Sequence, residues 1–311
     1  MRRIAFLFDG QGAFRPGVGK ELCEKYPEAK EVIKKSSAVL GYDLTDHLWG
    51  KHAHDTSSTT HIAQPAISTV SLAYADVLET FGVTAGVSLG HSLGEVTAIV
   101  YCGIVSFEDG VRIIQKRGEV MEKAGGHGSM MAVLNVGVTK LEELCKKVSD
   151  EIAEPVVVAN INTPNQIVIS GSKQGIQHVA QAVAENRGRG IPLRVGGAWH
   201  SPFLKEAAEE FSAYVDTIPF TKPAIPFYSV IEQKILDDPG LIKASLKKQM
   251  LAQVHWVAAI ENLTSQGYTT FLEIGPSKIL KDLVFKIAPH VKVETTALFT
   301  DLKELADSIE A

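Results

Sequence analysis

The chain has 311 residues, of which 45% are hydrophobic and 22% are charged, a composition typical of globular proteins with a large buried core. Since this length exceeds the usual size of one compact core, we expect either two domains or a large domain that carries an insertion. The formal net charge of -5 at pH 7 provides no global positive field, which argues against nucleic acids and anionic membranes as partners.

The cysteine and hydrophobic patterns bear on the cellular compartment. Cys23, Cys102 and Cys145 are widely separated and odd in number, so neither a disulfide framework nor a zinc site is expected. The first apolar run, Ile4–Phe8, is too short for the core of a signal peptide, and no apolar stretch reaches the roughly 18 residues of a membrane-spanning helix. We therefore expect a cytoplasmic protein without a membrane span.

Over the first 125 residues the hydrophobic pattern alternates between strand and helix, which is typical of α/β proteins. In chain order it predicts a strand over 4–8, a glycine-rich turn at 10–12, helices over 20–26 and 28–40, a polar surface connection over 51–61, a long helix opened by Pro65 and ending at Phe81, a strand over 86–89, and helices over 93–102 and 107–123. The strand over 86–89 leads directly into the motif Gly90-His91-Ser92-Leu93-Gly94.

A glycine-rich break at 125–128 marks a change in pattern. The elements that follow are strands over 130–136, 155–161, 167–170 and 191–195, with helices over 141–149 and 174–186. Their order, strand–helix–strand–strand–helix–strand, is that of a ferredoxin-like unit, which ends at a second glycine hinge, Gly196-Gly197. We therefore predict a small ferredoxin-like domain over 126–199, inserted into a large α/β domain formed by 1–125 and 200–311. Further helices are expected over 202–215, 241–251 and 258–265, followed by a strand over 269–274 and a helix that reaches Phe285.

The motif around Ser92 has the Gly-x-Ser-x-Gly form of a nucleophile elbow, in which a tight turn between a strand and a helix exposes a serine oxygen. Side chains at the flanking positions would collide with neighbouring backbone, so glycines are needed there. The amide of Leu93 and the start of the next helix would face a reacting carbonyl and form part of an oxyanion hole. The alternative is a serine that only caps a helix in a glycine-rich turn.

A serine nucleophile needs a base within hydrogen-bond distance, and the chain offers ten histidines. His200 follows the second glycine hinge, where a cleft between domains would form, although an ordinary loop histidine fits this position equally well. His91 is adjacent to Ser92 and is expected to point away from it, as a structural residue or a pocket wall. The histidines between 47 and 61 lack helical metal-ligand spacing, so no metal site is expected. Since no acid is clearly placed to complete a triad, a dyad oriented by a main-chain carbonyl is plausible.

Several spaced motifs together resemble the malonyl-CoA:acyl carrier protein transacylases and the related acyltransferase domains of polyketide synthases. The resemblance runs nearly end to end. The matching residues are Phe8-Asp9-Gly10-Gln11-Gly12, Gln64-Pro65-Ala66, Gly90-His91-Ser92-Leu93-Gly94-Glu95, Arg117-Gly118 with Met121, Asn160-x-Asn162-x-Pro164-x-Gln166, His200-Ser201-Pro202 and Glu273-x-Gly275-Pro276.

The resemblance implies an α/β-hydrolase-like large domain with a ferredoxin-like inserted domain, and it implies roles for individual residues. Ser92 would carry the acyl group, and His200 would act as general base and then as general acid. The amides of Gln11 and Leu93 would form the oxyanion hole, and Arg117 would hold the free carboxylate of a malonyl group. The other residues expected to contact the substrate or orient His200 are His91, Asn162, Trp199 and Gln249.

The implied reaction is ping-pong transfer of malonyl from malonyl-CoA to an acyl carrier protein, for fatty-acid or polyketide synthesis, without a cofactor. An arginine suits this role because its guanidinium pairs bidentately with a carboxylate. The chain departs from the family pattern at Asp9, Phe14, Val96 and Trp199, which leaves the preferred acyl group open. An acyl hydrolase on the same scaffold, an acyltransferase with another acyl preference and a noncatalytic scaffold are the competing hypotheses.

Overall fold

The computed structural model of the chain describes residues 3–56, 59–126 and 128–310. The predicted connection over 51–61 includes Ser57 and Ser58, and the predicted hinge at 125–128 includes His127. These three residues lie outside the described part. The strands are β1 (Ile4–Phe8), β2 (Val87–Gly90), β3 (Ser129–Leu134), β4 (Val156–Thr163), β5 (Gln166–Gly171), β6 (Arg189–Pro192), β7 (Phe227–Ser229), β8 (Lys234–Leu236), β9 (Thr270–Ile274) and β10 (Lys292–Thr295).

Helices connect most of these strands, and the mixed α/β character predicted from the sequence is confirmed. The helices are α1 (Lys20–Lys25), α2 (Pro27–Leu40), α3 (Leu44–Leu48), α4 (Ala53–Thr56), α5 (Thr60–Thr80), α6 (Leu93–Tyr101), α7 (Phe107–Lys123), α8 (Val138–Ile152), α9 (Lys173–Glu185), α10 (Lys205–Asp216), α11 (Pro239–Lys248), α12 (Trp256–Ser265), α13 (Ile279–Ile287) and α14 (Leu302–Glu310).

Within the described residues, six strands form one sheet in the order β10-β9-β1-β2-β7-β8. The strands from β10 to β7 are parallel to their neighbours, and β8 is antiparallel to β7. All of β1 is buried, as expected of a continuous apolar run in a sheet that is covered on both faces. Phe8 pairs with Gly90, so the carboxyl ends of β1 and β2 lie side by side at one edge.

Alternate side chains of β1 belong to two different parts of the core. Phe6 and Phe8 pack in a large cluster with residues of α2, α5, α6 and α7. Ala5 and Leu7 pack on the opposite face with residues of α12 and α13. The sheet is therefore held between two helical layers, which leaves its carboxyl edge as the place where loops can present polar groups.

A second, antiparallel sheet has the order β4-β5-β3-β6 in the described part of the chain. The predicted order strand–helix–strand–strand–helix–strand is found between β3 and β6. The predicted last strand over 191–195 is wrong in its bounds, because β6 spans Arg189–Pro192 and pairs Arg189 with Leu134. Pairing with β3 determined this strand, whereas the apolar pattern alone favoured the residues after it.

The prediction that Pro65 opens a helix is wrong, because α5 begins at Thr60 and contains Pro65 in its interior. A proline there lacks the N–H group for the bond to the preceding turn. Burial of Ile62 and Ala63 stabilises that turn, and the His61 amide donates a 2.9 Å hydrogen bond to Glu122. Tertiary contacts therefore extend the helix beyond what the local sequence favours.

Helix α11 spans Pro239–Lys248 instead of the predicted 241–251. Asp238 caps its start by accepting a hydrogen bond from the amide of Leu241, and Pro239 at the first helical position has a φ angle that suits a helix start. The chain leaves the helix after Lys248 and turns through 249–252, where main-chain carbonyls face the imidazole ring of His200. The helices α3 and α14 and the strands β7, β8 and β10 were not predicted, and α4 lies within the predicted surface connection over 51–61. Most of these elements are short and carry little periodic signal, whereas the missed α14 is amphipathic and buries Leu302, Leu305, Ala306 and Ile309.

Candidate active site

Ser92 lies in the turn between β2 and α6, with φ of 53° and ψ of -107°, a conformation that is rare for a residue with a side chain. The flanking glycines permit this turn. A Cβ atom on Gly94 would lie 1.9 Å from the carbonyl oxygen of Phe8, and one on Gly90 would lie 2.0 Å from the backbone of Gly94. The turn can form only where these two side chains are absent, which agrees with the steric role expected of both glycines.

The structure brings Ser92 and His200 together, with 2.8 Å between Ser92 Oγ and His200 Nε2. His200 Nδ1 lies 3.1 Å from the carbonyl oxygen of Gln249 and 3.0 Å from that of Ala252. Because a carbonyl oxygen can only accept a hydrogen bond, Nδ1 carries the proton and Nε2 is left to accept the serine hydroxyl. The arrangement is a dyad in which main-chain carbonyls hold the base in the required tautomer; the contribution of Ala252 was not predicted.

His200 is 3% exposed, and its surroundings disfavour the charged imidazolium. Burial lowers its pKa to about 3, with further lowering by the positive charge of Arg117 and by His91. Burial also lowers the pKa of His91. His200 is therefore neutral at physiological pH and available as a base.

Arg117, on α7, is 1% exposed and points its guanidinium at Ser92. Its Nη2 donates to Ser92 Oγ at 3.2 Å, its Nη1 to Gln64 Oε1 at 2.9 Å, and its Nε to Gln249 Oε1 at 3.0 Å. Burial lowers the pKa of Arg117 to about 10, and the carboxylate of Glu95 opposes this shift. The guanidinium therefore keeps its charge at neutral pH, although its side-chain partners within the described residues are neutral groups.

Gln249 connects Ser92, the guanidinium of Arg117 and the buried carboxylate of Glu95. Its Nε2 donates to the main-chain oxygen of Ser92 at 2.7 Å and to Glu95 Oε2 at 2.9 Å. Burial raises the pKa of Glu95, while its hydrogen bonds with Gln249, Ser229 and Val230 lower it. Sequence reasoning assigned no role to Gln64 or Glu95, although both lie in motifs shared with the family.

Gln11 and Leu93 both line the space above Ser92. Gln11 begins a short 3₁₀ turn directly after β1, and Leu93 is the first residue of α6. Neither amide donates to an acceptor within the described ranges of the chain, so both are available to donate hydrogen bonds to an oxyanion. The amide of His91 donates to the Phe8 carbonyl at 3.2 Å, which ties the two loops to each other.

The remaining predicted contact residues, His91, Asn162 and Trp199, line the same space as Ser92 and His200. His91 Nε2 forms a 2.8 Å hydrogen bond with Asn162 Oδ1, and its ring packs edge-on against Trp256. Trp199 lies against the second glycine hinge, where a Cβ atom on Gly197 would come within 2.7 Å of the indole ring. His91, Asn162 and Trp199 form walls of the site.

The dyad opens into a cleft of about 840 Å³, a volume within the usual range for small-molecule sites. Its walls come from the loops after β1 and β2 and from β3, β4 and β5 of the second sheet. Asp9, Phe14 and Trp199, three of the positions that depart from the family pattern, line it. Val96 is different: its side chain is fully buried in the core cluster under α6. The lining also includes Met121, Met130, Asn160, Val168, Leu193, Arg194 and Leu283.

The part of the chain that the structure describes contains neither a metal cluster nor a membrane-spanning helix. Among these residues, His, Cys, Asp and Glu form no group of three or more suited to a metal ion. None of the described helices combines the length and apolar character needed to cross a membrane.

Comparison with known proteins agrees with this geometry. The model of the acyl transferase domain family matches residues 5–297. The chain belongs to this family. A malonyl CoA-acyl carrier protein transacylase of Bacillus subtilis is 37% identical over 295 residues, which cover 94% of this chain and 92% of that protein. The resemblance inferred from the motifs is confirmed.

Solved structures of family members share the fold. The malonyl-transacylase MCAT of Streptococcus pneumoniae superimposes with a TM-score of 0.93 at 34% identity, covering 98% of this chain and all of that one. A malonyl-transacylase in complex with its type II polyketide synthase acyl carrier protein superimposes with a TM-score of 0.94 at 28% identity, covering 98% and 99% of the two chains. This acyltransferase therefore shares its α/β architecture with the malonyl-transacylases over nearly its full length.

Proposed function

We propose that this acyltransferase moves a malonyl group from malonyl-CoA, through an ester on Ser92, to the phosphopantetheine thiol of an acyl carrier protein. The observation that carries the proposal is the position of Arg117. Its guanidinium is buried, charged and 3.2 Å from the nucleophilic oxygen, and within the described residues it forms no ion pair. A malonyl thioester brings a carboxylate to this position, whereas an acetyl thioester leaves the charge unpaired. The names of the relatives support the same substrates.

In the first half-reaction, Ser92 Oγ gives its proton to His200 Nε2 and attacks the thioester carbonyl carbon of malonyl-CoA. The carbonyl oxygen becomes an oxyanion and is stabilised by the amides of Gln11 and Leu93. As the tetrahedral intermediate collapses, the carbon–sulfur bond breaks and the coenzyme A thiolate takes the proton from His200. The products are coenzyme A and malonyl-Ser92.

The second half-reaction runs the same steps in reverse with a different thiol. The phosphopantetheine thiol transfers its proton to His200 Nε2, and the sulfur attacks the ester carbonyl of malonyl-Ser92. Ser92 Oγ then leaves and recovers the proton from His200. Water would release free malonate from the same ester, and a hydrolase would have no use for a carboxylate clamp such as Arg117.

We also propose the finer division of the fold. The segments 1–125 and 200–311 would form an α/β-hydrolase-like large domain, with a ferredoxin-like domain inserted over 126–199. The order of β4, β5, β3 and β6 supports the ferredoxin-like assignment of the inserted domain. The large domain is supported by the six-stranded sheet, whose strands come from both sides of the insertion.

The proposed reaction is tested by recording the intact mass of the protein after brief mixing with malonyl-CoA, followed by addition of a phosphopantetheinylated carrier protein. Wild type should gain one malonyl group and lose it to the carrier, and Ser92→Ala should gain none. Arg117→Ala should form much less malonyl adduct than wild type. Acylation by acetyl-CoA, which lacks the free carboxylate, is the comparison. Rapid release of free malonate without transfer to the carrier would establish the hydrolase instead.

A further inference from the structure

Glu95 is a buried carboxylate close to the malonyl clamp that does not touch it. It is 3% exposed, and its Oε2 accepts a 2.9 Å hydrogen bond from Gln249 Nε2. The other end of the same amide, Gln249 Oε1, accepts the Nε–H group of Arg117 at 3.0 Å. A neutral amide thus separates the carboxylate of Glu95 from the guanidinium of Arg117.

The carboxylate helps to determine which way the Gln249 amide faces, together with the main-chain oxygen of Ser92, which accepts from the same Nε2 at 2.7 Å. Glu95 Oε1 is occupied by the Ser229 hydroxyl at 2.8 Å and the Val230 amide at 3.1 Å. An ionised carboxylate can only accept hydrogen bonds, so Gln249 must turn its NH₂ group toward Glu95 and its oxygen toward Arg117. Because Gln249 is fully buried, a flipped amide could not replace the lost bonds with bonds to water.

We propose that Glu95 is a positioning residue for acyl selectivity: through the Gln249 amide it orients the Arg117 guanidinium on Ser92, while it stays out of reach of that guanidinium. The substrate carboxylate is then the first anion to pair directly with Arg117. This inference rests on the proposed malonyl transfer. It assigns to Glu95 a role in selecting the acyl group.

The separation matters because a direct Glu–Arg pair would compete with the substrate. Guanidinium and carboxylate form short, charge-assisted, bidentate pairs, and a protein carboxylate in contact with Arg117 would occupy the N–H groups that malonyl needs. A glutamine oxygen orients the Nε–H group without neutralising the charge. With Gln249 between them, the carboxylate of Glu95 still offsets part of the cost of burying the positive charge of Arg117.

The test measures the ratio of malonyl to acetyl adduct on Ser92 when the protein is offered equal amounts of the two coenzyme A thioesters. In Glu95→Gln, the Ser229 hydroxyl and the Val230 amide still need the oxygen of the new amide, so its NH₂ group faces the Gln249 NH₂ group. A flip of Gln249 would relieve this clash, but it removes the acceptor of Arg117 Nε–H and turns an oxygen toward the Ser92 carbonyl. We expect the ratio to fall by about 10- to 100-fold, as for loss of a hydrogen bond to a charged group. Malonyl acylation should decrease more than acetyl acylation.

A charge swap separates position from charge. Gln249→Glu places a carboxylate directly on Arg117, and the double variant Glu95→Gln with Gln249→Glu does so at the wild-type net charge. Both should lose malonyl preference. If any buried carboxylate near Arg117 were sufficient, the double variant would recover the wild-type ratio, and that result would overturn the proposal.

Ser245→Ala is the matched control. Ser245 is buried and contacts Ser229 at 3.0 Å, so its loss disturbs the same polar cluster without reaching Gln249, and the ratio should stay at the wild-type value. A general structural defect in Glu95→Gln would slow both acylations alike; an unchanged ratio would therefore also overturn the proposal. Absence of any malonyl adduct on wild type would instead reject the proposed function itself.

Discussion

Ser92 and His200 both have positive φ angles, of 53° and 56°, and their side chains meet at 2.8 Å. Residues with side chains adopt this region only when the surrounding structure compensates for the strain. Around Ser92 the compensation comes from the glycine turn, and around His200 it includes a 2.6 Å hydrogen bond from Ser201 Oγ to the Ala198 carbonyl. The two halves of the dyad are therefore placed by separate backbone turns, which makes several consequences testable.

Removal of the base should slow acylation of Ser92. We expect His200→Ala to lower the rate of malonyl-Ser92 formation by about 10²- to 10⁴-fold, the usual contribution of a general base, as measured by time-resolved intact mass. His91→Asn is the comparison, since His91 lines the same cleft but bonds to Asn162. An equal loss in both variants would contradict the assignment of His200 as the base.

Arg117→Lys should show whether charge alone selects malonyl. Lysine keeps a positive charge but lacks the planar fork, and it cannot reproduce the three directed bonds to Ser92, Gln64 and Gln249. We expect the malonyl-to-acetyl ratio to fall by about tenfold or more in a competition between the two coenzyme A thioesters. A wild-type ratio in the lysine variant would show that a point charge is sufficient.

The acylation rate should resist acidification. The neutral form of His200 is the active base, and burial and the charge of Arg117 lower its pKa to about 3, so the neutral fraction declines only as the pH falls toward that value. With acetyl-CoA, which has no titrating acyl carboxylate, we expect a nearly flat acylation rate from about pH 8 down to about pH 5. Half-loss of the rate near pH 6.5 in protein that remains folded would show that the histidine has an ordinary pKa.

Asp9 should make the fold less stable as the pH rises. It is 1% exposed, and Ser277 Oγ lies 2.9 Å from Asp9 Oδ1 and 2.7 Å from Glu273 Oε1. One hydroxyl proton cannot serve both oxygens, and Glu273 already accepts the amides of Leu280 and Lys281, so Asp9 is the protonated partner. Burial and the charge of Glu273 raise the pKa of Asp9 well above its ordinary value.

A group whose pKa is higher in the folded state than in the unfolded state stabilises the fold at low pH. This contribution to the free energy of unfolding is lost as the pH rises through the folded-state pKa. We therefore expect Asp9→Asn to raise the free energy of unfolding at pH 7 by on the order of 1 kcal/mol or more, with a smaller difference near pH 4. Denaturant unfolding at the two pH values measures this. A constant difference between the two proteins would indicate that Asp9 does not change its protonation on unfolding.

The elbow glycines should be intolerant of any side chain. Gly94→Ala places Cβ 1.9 Å from the Phe8 carbonyl oxygen, so we expect a loss of about 2 kcal/mol or more in unfolding free energy together with loss of acylation. Gly137→Ala is the control, because no atom lies within 4 Å of its Cβ position and its φ of -67° suits alanine. Gly137 is the N-cap of α8, so its replacement should cost less than about 1 kcal/mol. Similar thermal unfolding of the two variants would argue against a steric requirement at the elbow.

Some predicted elements agree with the structure because their signals are local. The run of β1 is apolar at every position, and α7 begins with a Ser106 cap and shows a clear amphipathic pattern. The misplaced β6 and the early start of α5 have the opposite character. In β6 the pairing of Arg189 with Leu134, and in α5 the bond from the His61 amide to Glu122, come from distant parts of the chain, so local pattern could not predict them.

The sequence by itself determined the elements of the chemistry: a serine between two glycines after a strand, a histidine after a glycine hinge, and an arginine in a family motif. The serine and the histidine were inferred from spacing and from the steric needs of a turn, which are local properties, whereas the arginine was inferred from the family resemblance. Only the tertiary structure decided that Gln249 joins Arg117, Ser92 and Glu95, since Gln249 is separated from them by 132, 157 and 154 positions. Hydrogen bonds between such distant residues follow from how the layers pack, because burial brings polar groups together that must then satisfy one another.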